Sequence, residues 1–190
     1  MLLTLRGTPF LYYGEEIALR NLSIPNAQAF DPPARRATLL SPWWNRDQAR
    51  GPMPWSGGPG GGFTSGTPWL PLPPDVALRN VERQAADPDS VLSFYRRMLG
   101  LRRATPALER GTQELRDAGD LDVLSYVRRT EGASAAVLLN FASRPAVVQV
   151  PAPAPGRSWR VALSTHPRNA GEALAGPVTL APLEALIAYD

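Results

Sequence analysis

Cysteine and lysine are both missing from the 190 residues, and histidine occurs once. Without cysteine there is no disulfide and no thiolate metal site. A lone His166 argues against a histidine metal centre and against a serine–histidine triad. No stretch approaches the ~20 apolar residues that span a membrane. The first residues carry no basic segment followed by a long apolar run of the signal-peptide kind. These absences lead to the expectation of a cytoplasmic protein with no metal, no cofactor and no membrane contact. With lysine gone, all 20 basic residues are arginine, and the net charge is +3. The arginines are scattered and interleaved with Asp and Glu, so no basic run marks a phosphate-binding surface, and nucleic acid is not an expected partner. Arginine-only usage fits a GC-rich coding sequence.

What is abundant is proline and glycine, 21 and 16 residues, gathered in patches rather than spread evenly. Ahead of them stands Gly7-Thr8-Pro9-Phe10-Leu11-Tyr12-Tyr13-Gly14-Glu15-Glu16-Ile17. Pro9–Tyr13 is short, apolar on consecutive positions and bounded by glycines, which predicts a strand covered on both faces. No second strand–helix unit accompanies it, so it reads as the closing piece of a larger sheet. Residues 15–86 show little periodicity. Within them, Asp31-Pro32-Pro33 and Trp43 through Pro74 read as a long Pro/Gly/Trp-rich loop containing Gly57-Gly58-Pro59-Gly60-Gly61-Gly62. Loops of this length are usually functional. It holds four of the five tryptophans together with Phe63, more aromatic surface than a linker carries. Such rings stack on sugars or bases, and they also serve as plain loop anchors.

From Asp87 the pattern becomes helical. Asp87-Pro88-Asp89-Ser90 supplies a cap, and Leu92, Tyr95, Met98 and Leu99 recur at helical spacing, predicting a helix over Ser90–Ala104 that stops before Pro106. Arg96, Arg97, Arg102 and Arg103 are expected on its solvated face. From Gly111 the period is two. Strands are predicted at Thr112–Arg116, Val123–Arg128, Ala136–Phe141, Ala146–Val150, Trp159–Leu163, Val178–Leu180 and Ala185–Tyr189, forming an antiparallel sandwich. His166 is expected in a solvent-facing loop. The Asn21-Leu22-Ser23 sequon reads as a chance match, and the 57–62 glycines are no phosphate loop, since no lysine follows them.

Three stretches occur in a fixed order: Gly7 through Ile17; Arg46-Asp47-Gln48-Ala49-Arg50-Gly51-Pro52-Met53-Pro54-Trp55; and Leu101-Arg102-Arg103-Ala104-Thr105-Pro106-Ala107-Leu108. Between the last two lie Gly62-Phe63-Thr64 and Pro68-Trp69-Leu70-Pro71. The series resembles the C-terminal part of the α-glucosidases and oligo-1,6-glucosidases of the α-amylase superfamily, glycoside hydrolase family 13. Gly51 departs from the threonine usual in that motif. The resemblance implies an α+β fragment. Residues 1–108 would be the last β/α unit of a (β/α)8 barrel with its long loop and last helix, and residues 109–190 an antiparallel all-β sandwich domain. It implies retaining hydrolysis of α-glucosidic bonds, with a carboxylate nucleophile and an acid/base ~5–5.5 Å apart. The family's Asp, Glu and Asp lie on earlier strands and have no counterpart here. The chain alone is therefore expected to be inactive, with no catalytic residue.

Glu15 and Glu16 invite a general acid/base reading. On an extended backbone, however, neighbouring side chains point to opposite faces and cannot flank one bond. The resemblance gives them another role: Glu15 or Glu16, with Glu16 favoured, would pair with Arg46 in a gate beside the aglycone site. A loop-anchoring pair without substrate contact fits the same residues. Asp47 and Arg50 are expected to tie the loop to itself. The implied ligand of the whole enzyme is an α-linked oligosaccharide, and a separately encoded N-terminal barrel fragment is a partner to weigh. The alternative reading is a non-catalytic β-sandwich module that binds carbohydrate or docks on a partner.

Overall fold

In the computed structural model, which describes residues 1–36 and 45–190, eight strands follow one another from Thr112. They are β1 (Thr112–Arg116), β2 (Val123–Arg129), β3 (Ser134–Asn140), β4 (Ala146–Gln149), β5 (Trp159–Ser164), β6 (Ala173–Leu174), β7 (Pro177–Leu180) and β8 (Ala185–Tyr189). All seven strands expected from the period-two pattern are present. Only the two-residue β6 is additional, too short to leave an alternation. Six strands form a sheet in the order β1-β2-β3-β8-β5-β6, and β4 pairs with β7 in a second sheet. Every pairing is antiparallel. β3 is buried at all seven positions, so both of its faces are covered, whereas β4 alternates between buried and exposed.

One apolar cluster draws on both sheets: Val127, Ala136, Leu138, Trp159, Val161, Leu186 and Ala188 from the larger, Ala146, Val148, Val178 and Leu180 from the smaller. Burial of side chains this size contributes about 1.5–3 kcal/mol each for the larger ones. These strands belong to a compact unit made of Met1–Phe10 and Arg97–Asp190; Leu11–Arg96 makes another.

Within the first unit, the N-terminal residues are fastened by arginines. Arg128 is fully buried and donates to the carbonyls of Thr4 (2.7 Å), Gly111 (2.9 Å) and Thr112 (3.0 Å). Arg102 donates to Leu3 O at 2.9 Å, Leu5 O at 3.2 Å and Gly7 O at 2.7 Å. Arg102 is thus buried, contrary to the expected solvated face. Its guanidinium satisfies main-chain carbonyls that would otherwise lack donors.

Four α-helices occur among the described residues: α1 (Pro32–Arg36), α2 (Val81–Ala86), α3 (Val91–Ala104) and α4 (Pro106–Arg110). α3 is the helix expected from the sequence, and the Ser90 hydroxyl caps it by accepting from Ser93 N at 3.1 Å. Asn80 caps α2 in the same way, through Arg83 N at 2.8 Å. The long loop expected from the sequence contains α1 after Asp31 and the short 3-10 turns Arg46–Ala49 and Pro59–Gly62. Trp43 and Trp44, part of that expectation, lie outside the described residues. Among the described residues, no helix is long and apolar enough to cross a membrane.

Pro9–Tyr13 is not a strand. No ladder partner pairs with it among the described residues, and Phe10 is 85% exposed. Apolar character alone makes no strand, because the ladder hydrogen bonds of a second segment are required.

Candidate functional site

The unit Leu11–Arg96 holds a cleft of about 500 Å³. Five aromatic rings line it (Tyr12, Tyr13, Trp55, Phe63 and Trp69), with Met53, Glu16 and Arg50. The fold produces these walls locally. Tyr12 and Tyr13 lie 4.8 Å apart, centroid to centroid, and their hydroxyls donate to main-chain carbonyls: Tyr12 to Ala49 O at 3.2 Å, Tyr13 to Gly51 O at 3.0 Å. Burial and the adjacent Tyr12 push the Tyr13 phenol above its ordinary pKa. Gly51 sits where a Cβ would come within 2.8 Å of the Leu22 side chain, so the departure from threonine goes with a tight packing contact. Gly60, Gly61 and Gly62 all have φ near +64°, a left-handed run that side chains resist. That run aims Gly61 O at Trp55 N (2.8 Å) and Ser56 N (3.0 Å), which fixes the Trp55 backbone. Leu70 is buried with Leu22 and Ile24, which anchors the neighbouring Trp69.

A charge cluster joins the cleft through Arg50. Asp47 is buried, and its Oδ2 accepts from Phe30 N (2.6 Å) and Asp31 N (2.9 Å). Asn45 Oδ1 accepts from Asp47 N at 3.2 Å, at the head of the 3-10 helix Arg46–Ala49. Arg50 Nη1 stands 3.6 Å from Asp47 Oδ1 and 4.0 Å from Asp31 Oδ1. Both buried carboxylates thus lie within ion-pair range of Arg50, which also lines the cleft.

The expected pairing of Arg46 with Glu16 or Glu15 is corrected. Arg46 closes its fork on Asp31, with Nε 3.0 Å from both carboxylate oxygens, and among the described residues no ion pair joins it to either glutamate. Hydrogen bonds from Arg46 hold the Asp31 carboxyl below its ordinary 3.8, against the effect of burial. Glu16 instead accepts from Gly14 N at 2.7 Å, folding back on its own turn. Glu15–Ile17 is a 3-10 helix rather than the extended backbone expected, entered through Gly14 at φ 91°. Glu15 is exposed and Glu16 half-buried on the cleft wall. Sequence reasoning missed Asp31, because no periodicity links positions fifteen residues apart. Its one signal was an acidic residue directly before Pro32-Pro33, at the start of α1.

Residues 1–111 match the catalytic domain of the α-amylases, and the chain belongs to the α-amylase family, glycoside hydrolase family 13. It is 32% identical over 165 residues to a probable oligo-1,6-glucosidase of Bacillus subtilis (strain 168), covering 77% of this chain and 29% of that protein. With a probable α-glucosidase of Rhizobium meliloti (strain 1021) it shares 36% identity over 151 residues, covering 80% and 27%. Among solved structures, the trehalulose synthase MutB of Pseudomonas mesoacidophila MX-45 superimposes with a TM-score of 0.83 at 31% identity, covering 99% of this chain and 36% of the other. The chain thus spans little more than a quarter of the length of these curated relatives.

Proposed function

We propose that this chain is the C-terminal part of a retaining α-glucosidase-type hydrolase acting on α-glucosidic bonds of oligosaccharides. Residues 1–108 would close the (β/α)8 barrel and residues 109–190 form an accessory β-sandwich. The aromatic cleft carries the reading. Its rings offer flat apolar faces to the C–H side of a pyranose, while Glu16 and Arg50 meet its hydroxyls. In this reading Glu15, Glu16 and Arg46 belong to the aglycone-side gate. Arg46 would act through Asp31, and Asp47 with Arg50 anchor the loop. The catalytic carboxylates come from the part of the relatives that this chain does not span, so an N-terminal barrel segment is the natural partner. The compartment proposed is the cytoplasm.

The test has two arms. The purified chain is expected to release no p-nitrophenol from p-nitrophenyl α-glucoside, and to gain that activity when co-expressed with a family barrel segment carrying the missing strands. Turnover by the chain alone, abolished by Glu15→Gln or Glu16→Gln, would overturn the assignment. A second reading, a non-catalytic sugar-binding module, is favoured by the exposure of Trp55 and Trp69, 52% and 54%. Sugar binding without any activity in the co-expressed pair would select it.

A further inference from the structure

The six-stranded sheet ends in two strands of different kinds. At one edge β6 is two residues long, and that shortness blunts it against further pairing. At the other edge β1 runs for five residues, paired with β2 in unbroken register from Thr112–Arg129 to Arg116–Ser125. It contains no proline and no bulge, and among the described residues no strand pairs with its outer side. Main-chain N–H and C=O groups on that side can take up another strand, a hazard that sheet proteins manage explicitly.

The side chains of β1 decide which strand. Glu114, Leu115 and Arg116 are all exposed, Leu115 by 67%. Alternation along the strand puts Glu114 and Arg116 on one face, where they form a 2.6 Å ion pair, and Leu115 on the other. Charges on an edge repel chance partners. The order Glu114-Leu115-Arg116 is, however, complementary to itself when two copies run antiparallel. With a two-fold axis at Leu115, Glu114 stands opposite Arg116 of the second copy, and Arg116 opposite its Glu114, while the two leucines meet on the other face. Moving the axis one residue either way sets Glu114 or Arg116 against its own counterpart, which like charges oppose. The strand thus specifies both a partner and a register.

We propose that β1 is a homodimerisation edge: two copies of this chain join antiparallel through β1, centred on Leu115, and the sheet continues from one molecule into the other. A contact of five residues a side is smaller than a standard stable interface, so the dimer is a weak one, with Kd of roughly 1–100 μM. Every residue involved lies in the unit Met1–Phe10 and Arg97–Asp190, so the proposal stands independently of the cleft.

Sedimentation equilibrium of the 190-residue chain over roughly 1–300 μM tests this. The unsubstituted chain should pass from monomer to dimer across that range. Glu114→Arg sets arginine against arginine across the axis, and Arg116→Glu sets acid against acid. Each should weaken self-association by roughly tenfold or more. Neither should unfold the chain, since both side chains are exposed and an exposed ion pair contributes little to stability. The two variants mixed in equal amounts should recover the dimer, because each supplies the charges that the other lacks. Monomer mass throughout the range in the unsubstituted chain would overturn the proposal. Association that neither reversal weakens would overturn it by placing the contact elsewhere. Two reversals that each abolish the dimer, with no recovery on mixing, would overturn the two-fold register and the proposal with it.

Discussion

Arg46 and Asp31 form a bidentate pair in which the carboxylate is wholly buried and the guanidinium side chain stays 58% exposed. The asymmetry has a consequence. Removing the arginine strands a carboxylate in the interior, whereas removing both charges does not. Arg46→Ala should lower Tm by roughly 2–4 °C, the shift a modest destabilisation gives a chain of this size. Adding Asp31→Asn to it should recover part of the loss. Thermal scans at pH 7 read both, and a double variant as unstable as the sum of the two single ones would refute the coupling.

Arg128 is buried with three carbonyl acceptors, one of which is Thr4 O. Arg128→Ala should cost about 2–4 kcal/mol, because the carbonyls lose their donor in the interior. Arg128→Lys should not rescue it, since an ammonium is a point donor and cannot span three acceptors held by a planar fork. Hydrogen exchange should localise the effect. The amide of Thr4, bonded to Met1 O at 2.8 Å, should exchange faster in the variant. Unchanged exchange at Thr4 would mean that Arg128 does not fasten the N-terminal segment.

These arginines also show where the sequence stops being legible. The strands after Gly111 could be read because turn residues bound each of them, and every one expected was found, although burial alternates along the whole strand only in β4 and β7. A buried arginine whose partners are main-chain carbonyls leaves no mark, since no acidic residue answers it at helical or strand spacing. Arg102 therefore read as surface. Pro9–Tyr13 failed for a different reason: residue type describes how well a segment suits a sheet, and the partner strand lies in other residues. In the cleft, the aromatic content and the Arg46–Arg50 motif were visible. The Asp31–Arg46 closure and the tilt of Phe30 on Trp69 depend on chain reversals that no short-range pattern encodes.

Glu184 gives a pH prediction. It is buried, and burial alone would raise its pKa. Hydrogen bonds from Arg168, from Ala181 N at 2.7 Å and from Ser164 Oγ at 2.8 Å outweigh that and hold it below the ordinary 4.5. A carboxyl with a depressed folded-state pKa stabilises fully above its unfolded value, and the contribution is lost as pH falls through the folded one. Melting temperature should therefore drop as pH falls from about 5 through the acid range. Glu184→Gln should be less stable than the unsubstituted chain at pH 7, with the gap narrowing toward pH 3. A gap independent of pH would show that the charge on Glu184 contributes nothing.

Gly111 and Gly100 make a paired test of what glycine does here. Gly111 ends α4 and leads into β1, with its N–H bonded to Ala107 O at 3.1 Å. Its backbone lies at φ −65° and ψ 160°, open to any residue, so conformational freedom is not why it is there. Space is the reason: a Cβ would stand 2.4 Å from Ala107 O and 2.7 Å from Arg129 O. Both are main-chain atoms held in a helix and a strand, so neither can swing aside. Gly111→Ala should lower stability by about 2–3 kcal/mol through the forced backbone shift. Gly100, inside α3, has nothing within 4 Å of the same position. Gly100→Ala should therefore stabilise by about 0.5–1 kcal/mol, through the entropy that glycine loses in a helix. Urea midpoints moving in opposite directions would support the crowding at the α4–β1 junction; a neutral Gly111→Ala would contradict it.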